Sequence, residues 1–351
     1  MRSILRPNSI EVLDDLKARN TLRRYFEVLE GRRSPKVKLC KSLSVEVSLN
    51  ESDEVLWKGH EAGVARLRSM EKEEGGESSQ GRTSLLDLKV ELAKRIFNRC
   101  VFCERRCGVD RREKAGSCGV REARISSLFH HYGEEPELVP SYTVFFSGCN
   151  FHCQFCQNYD ISQRITGFEV QATELASKLE GINARNINWV GGEPTANLHY
   201  ILETLNYYSG GMPSVWNSNM YMTEESMKLL EGTQDVFLTD FKYGNDACST
   251  NLSKVKDYTA IVKRNHRLAQ RQGELIVRHL VLPGHIECCT AEVAGFVAKV
   301  LGVGTRFNLM FQYRPLYKAY KYNDINRGLT SEEVSKAWRV VEEAGLENVI
   351  T

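Results

Sequence analysis

The chain has 351 residues, a formal net charge of +2, 42% apolar and 26% charged residues. This is ordinary globular composition with material for a sizeable core, and the length suits roughly two domains or one large α/β barrel. A charge this near zero gives no general pull toward nucleic acid or acidic membranes. No apolar run reaches membrane-spanning length, and the start, Met1-Arg-Ser-Ile-Leu-Arg-Pro-Asn, has no apolar stretch of signal-peptide length. Seven of the eleven cysteines fall in two tight clusters. That is a metal-ligand pattern rather than a secreted disulfide framework, so a reducing, cytoplasmic setting is expected.

Residues 1–83 are expected to form a mostly helical extension and linker. Leu13, Leu16, Leu22, Tyr25, Phe26 and Leu29 suggest one amphipathic segment. The stretch from Glu71 through Gly75-Gly76 to Gly81 reads as a solvated loop. Residues 84–135 form a second unit. Ser84 is placed to cap a helix from Leu85 to Asn98, with Leu85, Leu88, Leu92 and Ile96 on one stripe. The helix delivers Cys100, Cys103, Cys107 and Cys118, spaced C-x2-C-x3-C-x10-C. Four thiolates make a closed site, either structural zinc or an iron–sulfur cluster, and the spacing leaves both open. Arg105, Arg106, Arg111 and Arg112 surround it; they either offset the negative charge of a tetrathiolate site or form a plain solvated face, and the solvated face is the expectation.

From residue 136 to 351 the chain alternates. Short β-rich runs lie near 142–147, 186–190, 213–218, 235–241, 275–282 and 307–313, with helical patterns near 171–180, 196–208, 224–231, 254–271, 287–300 and 330–344. Repeated βα units predict a parallel sheet under covering helices, here a partial (β/α)6 barrel, whose chemistry collects on the loops after the strands. The first strand, Tyr142 to Phe146, ends at Ser147-Gly148. It leads into Cys149-Asn-Phe-His-Cys153-Gln-Phe-Cys156, a C-x3-C-x2-C triplet. Three ligands leave one metal position open for an exchangeable partner, unless His152 completes a zinc site. The second strand ends in Gly191-Gly192-Glu193-Pro194, where two glycines permit close approach to the backbone and Glu193 adds an acceptor. The third ends in Trp216-Asn217-Ser218-Asn219, and the fourth in Asp240-Phe-Lys242. The fifth carries Arg278 inside an apolar run before Val281-Leu-Pro-Gly284, and such a charge needs a partner.

The cysteine triplet on its strand, with the GGEP segment, resembles the radical S-adenosylmethionine (radical SAM) superfamily. The resemblance implies an α/β fold with a partial TIM-like barrel and a 4Fe-4S cluster on Cys149, Cys153 and Cys156. It implies SAM chelated at the free iron and held by Gly191, Gly192, Glu193, the Asn217/Ser218 segment and Arg278. Phe155 matches a position near the adenine, and Asp240 and Lys242 take polar active-site roles. One-electron cleavage of SAM then yields methionine and a 5′-deoxyadenosyl radical, the electron coming from a donor such as flavodoxin or ferredoxin. Cys100 to Cys118, the His130-His-Tyr-Gly-Glu-Glu-Pro136 run, the cysteine loop and Ile161-Ser-Gln163 resemble, more narrowly, the PflX-like pyruvate formate-lyase activating protein family, and are similar to the radical SAM member of the AmmeMemoRadiSam group. A glycine of a protein partner is the substrate this implies, with a small molecule or RNA as alternatives. In known activases the extra clusters follow the SAM loop, whereas here the additional cysteines precede it. An iron–sulfur electron-transfer module without SAM cleavage is the reading of another class, and the complete GGEP segment argues against it.

Other features read as structural. Cys288 and Cys289 are vicinal, and neighbours on an α-helix point apart. Cys40 and Cys248 read as small packed or surface residues, and His279 and His285 as core or loop residues. Tyr313 to Tyr322 interleaves aromatic and basic residues and reads as a rim over the barrel mouth.

Overall fold

In a computed structural model of the chain, residues 11–73 and 83–351 are described. An eight-stranded sheet runs in strict sequence order: β1 (Ile125–His131), β2 (Ser141–Phe146), β3 (Asn186–Gly191), β4 (Ser214–Ser218), β5 (Val236–Asp240), β6 (Glu274–Leu280), β7 (Arg306–Met310) and β8 (Val349–Ile350). β1 pairs antiparallel with β2, and every later pairing is parallel. The six alternating units thus form the expected partial barrel. β1 and the two-residue β8 are additions at its edges. β1 was not foreseen because its half-exposed Ser-Ser-Leu-Phe-His-His lacks a clean alternation.

The helices are α1 (Leu16–Thr21), α2 (Arg23–Leu29), α3 (Lys36–Ser42), α4 (Asp53–Glu73), α5 (Leu85–Asn98), α6 (Tyr159–Ser162), α7 (Ala172–Glu180), α8 (Leu198–Tyr207), α9 (Glu224–Leu230), α10 (Asp246–Ser253), α11 (Tyr258–Gln272), α12 (Glu292–Phe296) and α13 (Ser331–Glu343). Ser84 caps α5 through a reciprocal box with Asp87, as its position suggests. The pattern near 254–271 is α11, with the unforeseen α10 before it, and that near 287–300 is α12 flanked by π-helical turns. The loop expected from Glu71 is helical as far as Glu73, and the rest of it lies outside the described residues.

Strand alternation sorts the side chains into two faces. Val215, Val236, Leu238 and Ile276 turn inward, where they meet Val12, Ala18, Leu22, Tyr25 and Phe26 in one buried cluster. The amphipathic stretch of the N-terminus is therefore two short helices, broken at Leu22, that plug the barrel under the strands. Leu16 is off the buried face, at 73% exposure. Polar groups key the plug in place. Glu274 at the start of β6 accepts the Tyr25 backbone N–H at 2.8 Å, and the Tyr25 hydroxyl accepts from Asn186 Nδ2 at 2.9 Å. Arg306 on β7 donates to Glu137 at 2.7 Å and to Asn348 at 2.7 Å. Outward residues such as Trp189, Trp216 and Phe237 join a second core that runs without interruption into α3, α4 and α5.

Phe26 is 2% exposed within the plug. Phe26→Ala is expected to lower the unfolding free energy by about 3–5 kcal/mol, from lost burial and the cavity left behind. Denaturant unfolding of the full chain checks this.

Candidate active site

The strand ends β2 to β7 open onto one cavity of about 240 Å³. β2 stops at Phe146, and Gly148 turns the chain with φ +86°. A Cβ there would lie 2.2 Å from Val120 Cγ2 and 2.8 Å from the Cys118 carbonyl, so glycine is required by crowding as well as by backbone angle. Cys149, Cys153 and Cys156 follow, and all three line the cavity. Each sulfur has a polar neighbour. The Phe151 N–H donates to Cys149 Sγ at 3.3 Å, Ser253 Oγ lies 2.9 Å from Cys153 Sγ, and Ser162 Oγ lies 3.2 Å from Cys156 Sγ. His152, the alternative fourth ligand, turns instead to Gln163 at 2.9 Å.

This donor set fits an iron–sulfur core. A single tetrahedral zinc with Zn–S bonds of about 2.3 Å holds its sulfurs about 3.8 Å apart. Three thiolates around one cavity instead leave one iron of a four-iron core free for an exchangeable ligand. Burial pushes the Cys149 thiol well up and, with Cys156 adding to it, the Cys153 thiol to about 12. Such thiols ionise only beside a cation, and metal binding releases their protons.

Gly191 and Gly192 abut the same loop. A Cβ on Gly191 would lie 2.1 Å from the Phe146 carbonyl oxygen, and one on Gly192 would lie 2.0 Å from the Gly148 carbonyl oxygen. The glycines thus admit a neighbouring strand end, and the close approach they permit is protein on protein. Glu193 is fully enclosed. One of its oxygens accepts from Thr195 Oγ1 at 2.6 Å and Ser218 Oγ at 2.7 Å, and the other from the Asn219 N–H at 2.9 Å. Burial nonetheless raises its pKa. Asn219 Nδ2 reaches on to Asn150 Oδ1 at 2.7 Å, so the ends of β3 and β4 are tied to the cysteine loop.

Across the cavity lie Asp240, Lys242 and Arg278. Arg278 Nε donates to Asp240 at 2.9 Å, its other nitrogens to Glu134 at 3.4 Å and Asn217 at 2.5 Å, and Lys242 Nζ donates to the second Asp240 oxygen at 2.6 Å. Burial pushes the Asp240 carboxyl up, but the Arg278 and Lys242 charges outweigh it and hold the pKa at about 2. Phe155 forms the opposite wall and packs edge-on against Tyr313, 5.8 Å between ring centroids. The segment from Tyr313 to Tyr322 lies along this wall as a rim. Its Lys318 N–H donates to the Gln154 carbonyl at 2.9 Å, and Tyr317 stacks on Tyr159.

Cys100, Cys103, Cys107 and Cys118 line a second, smaller pocket together with Asn150. Arg111 departs from the solvated face expected for it: it is fully buried and donates to Cys100 Sγ at 3.5 Å. Arg112 remains at the surface, paired to Asp110. Sequence reasoning missed Glu134, Asn150, Asn219 and Ser253 as site residues. Asn219 stood inside a quoted strand end, but nothing in its sequence context marks a contact that only the fold creates. His279 has the core role expected, bonded to the Phe241 carbonyl and Thr290. Cys248, His285, Cys288 and Cys289 were read as separate structural residues, yet they converge at one point.

A strand-ordered parallel barrel with a cysteine triplet after its first parallel strand defines a class, and residues 143–297 match the Radical SAM superfamily. The chain carries a Radical SAM superfamily domain over these residues. It is 44% identical over 339 residues to the uncharacterized protein MJ0674 of Methanocaldococcus jannaschii, covering 93% of this chain and 98% of that relative. It is 27% identical over 192 residues to MJ0808 of the same organism, covering 47% and 57% of the two chains. Solved structures of similar fold include methylornithine synthase (TM-score 0.41, 13% identity, 91% of this chain and 77% of that one). Another is Streptococcus suis SuiB bound to precursor peptide SuiA (TM-score 0.41, 12% identity). This chain covers 43% of the SuiB chain, less than half its length.

Two outcomes are expected. Gly192→Ala forces a Cβ onto a backbone carbonyl that cannot move aside, so it should cost about 1–3 kcal/mol and reduce iron retention, read by unfolding and iron content. For a depressed carboxyl such as Asp240, stability is present above the unfolded value near 4 and lost as pH falls through the folded value of about 2. SAM binding should therefore show no acid limb from Asp240 above about pH 5, while Asp240→Asn weakens binding across the whole range; titration calorimetry against pH tests both.

Proposed function

We propose that this protein cleaves SAM reductively at a 4Fe-4S cluster held by Cys149, Cys153 and Cys156, and uses the product to abstract hydrogen from a substrate at the barrel mouth. The observation that carries this reading is the convergence of two buried thiols, one half-buried thiol and the Gly191–Glu193 segment on one cavity. Bound there, the cluster would supply one electron to SAM, giving methionine and a 5′-deoxyadenosyl radical.

The chain's own residues bind and orient. Arg278 carries five N–H donors, and three are engaged by Asp240, Glu134 and Asn217. The two that remain suit a carboxylate such as the methionine end of SAM. Asn217 and Ser218 flank the same space, and Phe155 offers an apolar face for the adenine. Asp240 and Lys242 sit as a neutral pair beside the reacting region, with Lys242 available to donate to substrate. The walls exclude water while the radical exists.

The substrate favoured here is a glycine of a partner protein, as in glycyl-radical activases. The rim supports it: Leu316 and Tyr320 are 40% and 70% exposed beside the cavity, an apolar lip suited to a polypeptide. The near-neutral charge disfavours RNA. The four-cysteine module is read as a second iron–sulfur cluster, in company with the triplet; its four thiolates around one small pocket suit zinc as the alternative. Its adjacency to Gly148 and Asn150 suits electron delivery from a flavodoxin or ferredoxin. A cytoplasmic location belongs to the same reading; among the described residues no helix is long and apolar enough to cross a membrane.

Anaerobically reconstituted protein, given dithionite and SAM, is expected to release 5′-deoxyadenosine, and Cys153→Ala to release none. An electron-transfer module would bind no SAM in titration calorimetry and would leave SAM intact. A glycyl radical signal on a candidate partner would identify the substrate class.

A further inference from the structure

Outside the barrel cavity, Cys248 Sγ, His285 Nδ1, Cys288 Sγ and Cys289 Sγ all lie within 4.8 Å of one another. Cys248 and Cys288 sulfurs are 3.8 Å apart, and those of Cys288 and Cys289 are 3.9 Å apart. His285 Nδ1 stands 3.3 Å from Cys288 Sγ and 3.5 Å from Cys248 Sγ. A tetrahedral zinc with Zn–S near 2.3 Å and Zn–N near 2.05 Å sets S···S at about 3.8 Å and S···N at about 3.5 Å. The observed separations match this geometry. The expectation that the vicinal cysteines diverge fails: in the π-helical turn Ile286–Ala291 their sulfurs lie 3.9 Å apart.

The histidine supplies a second, independent sign. Its Nε2 lies 2.9 Å from an Asp324 carboxylate oxygen. That carboxylate fixes the proton on Nε2 and turns the Nδ1 lone pair toward the three sulfurs, the arrangement that orients a metal-bound imidazole. A disulfide between Cys248 and Cys288 would use two of the four groups and leave the aim of His285 and Cys289 unexplained. The backbone is set as well: Asn245 caps α10 through the Cys248 N–H at 2.8 Å, and its Nδ2 donates to the Cys288 carbonyl at 2.9 Å.

We infer that these four residues bind one zinc ion in a closed, structural Cys3His site with Asp324 behind the histidine. Four protein ligands leave no open position for catalysis. The ion pins three successive strand-end segments: α10 after β5, the turn after β6, and the Asp324 segment after β7. α10 ends at Ser253, whose hydroxyl touches Cys153, so zinc also steadies one side of the cysteine triplet.

Metal analysis of the anaerobically purified full chain is expected to find one zinc per chain alongside iron. The Cys248→Ser/Cys288→Ser variant should lose that zinc, and Cys103→Ser/Cys107→Ser should keep it. If the first variant does not fold, cobalt(II) exchanged into the native chain should show intense thiolate-to-cobalt absorption, and His285→Gln should shift its ligand-field bands. The proposal is overturned if neither zinc nor cobalt binds, if mass spectrometry finds Cys248 joined to Cys288, or if zinc survives the first variant and leaves with the second. None of these readouts depends on SAM cleavage, so failure here is separable from failure of the radical reading.

Discussion

Two backbones meet at the top of this barrel with no room for a side chain between them. The carbonyls of Phe146 and Gly148 occupy the space where Gly191 and Gly192 would carry Cβ atoms. This contact sets the cysteine loop against the end of β3 and so places Glu193 under the Asn217–Asn219 segment. Gly148 does the same on its other side, against the Cys118 carbonyl. A chain of glycines thus stacks the four-cysteine module, the triplet and the β3 end into one block, and the cavity is the space left beside it.

The opposite wall is governed by charge. Arg278, Asp240, Lys242 and Glu134 lie in an environment where any one of them alone would be costly. Each is tolerated because the next is within bonding distance. Such a network resists rearrangement, since moving one member strands another. One wall is fixed by absence of side chains and the other by mutual neutralisation, and between them a ligand meets a preformed pocket.

The parallel strands and both cysteine clusters were legible because each leaves a short-range mark: period-two apolar runs, and ligands a few residues apart. The N-terminal plug was not. Leu22, Tyr25 and Phe26 announce a helix face, but the face's partners, Val215, Leu238 and Ile276, are some two hundred residues away in sequence and carry no sign of it. The same holds for Cys248, His285 and Asp324, single residues on three separate segments after β5, β6 and β7. Arg111 was read as solvated because its neighbours Arg105, Arg106 and Arg112 look alike in sequence, and only the pocket beside Cys100 distinguishes it. What escaped the sequence is what depends on distant segments meeting.

The plug also decides traffic. With Tyr25 and Phe26 seated beneath the strands and Arg306 locked to Glu137 under them, the lower end of the barrel offers no passage. Among the described residues, the cavity at the strand ends opens at the rim instead. Two ligands sharing such a cavity would have to enter in turn, the deeper one first.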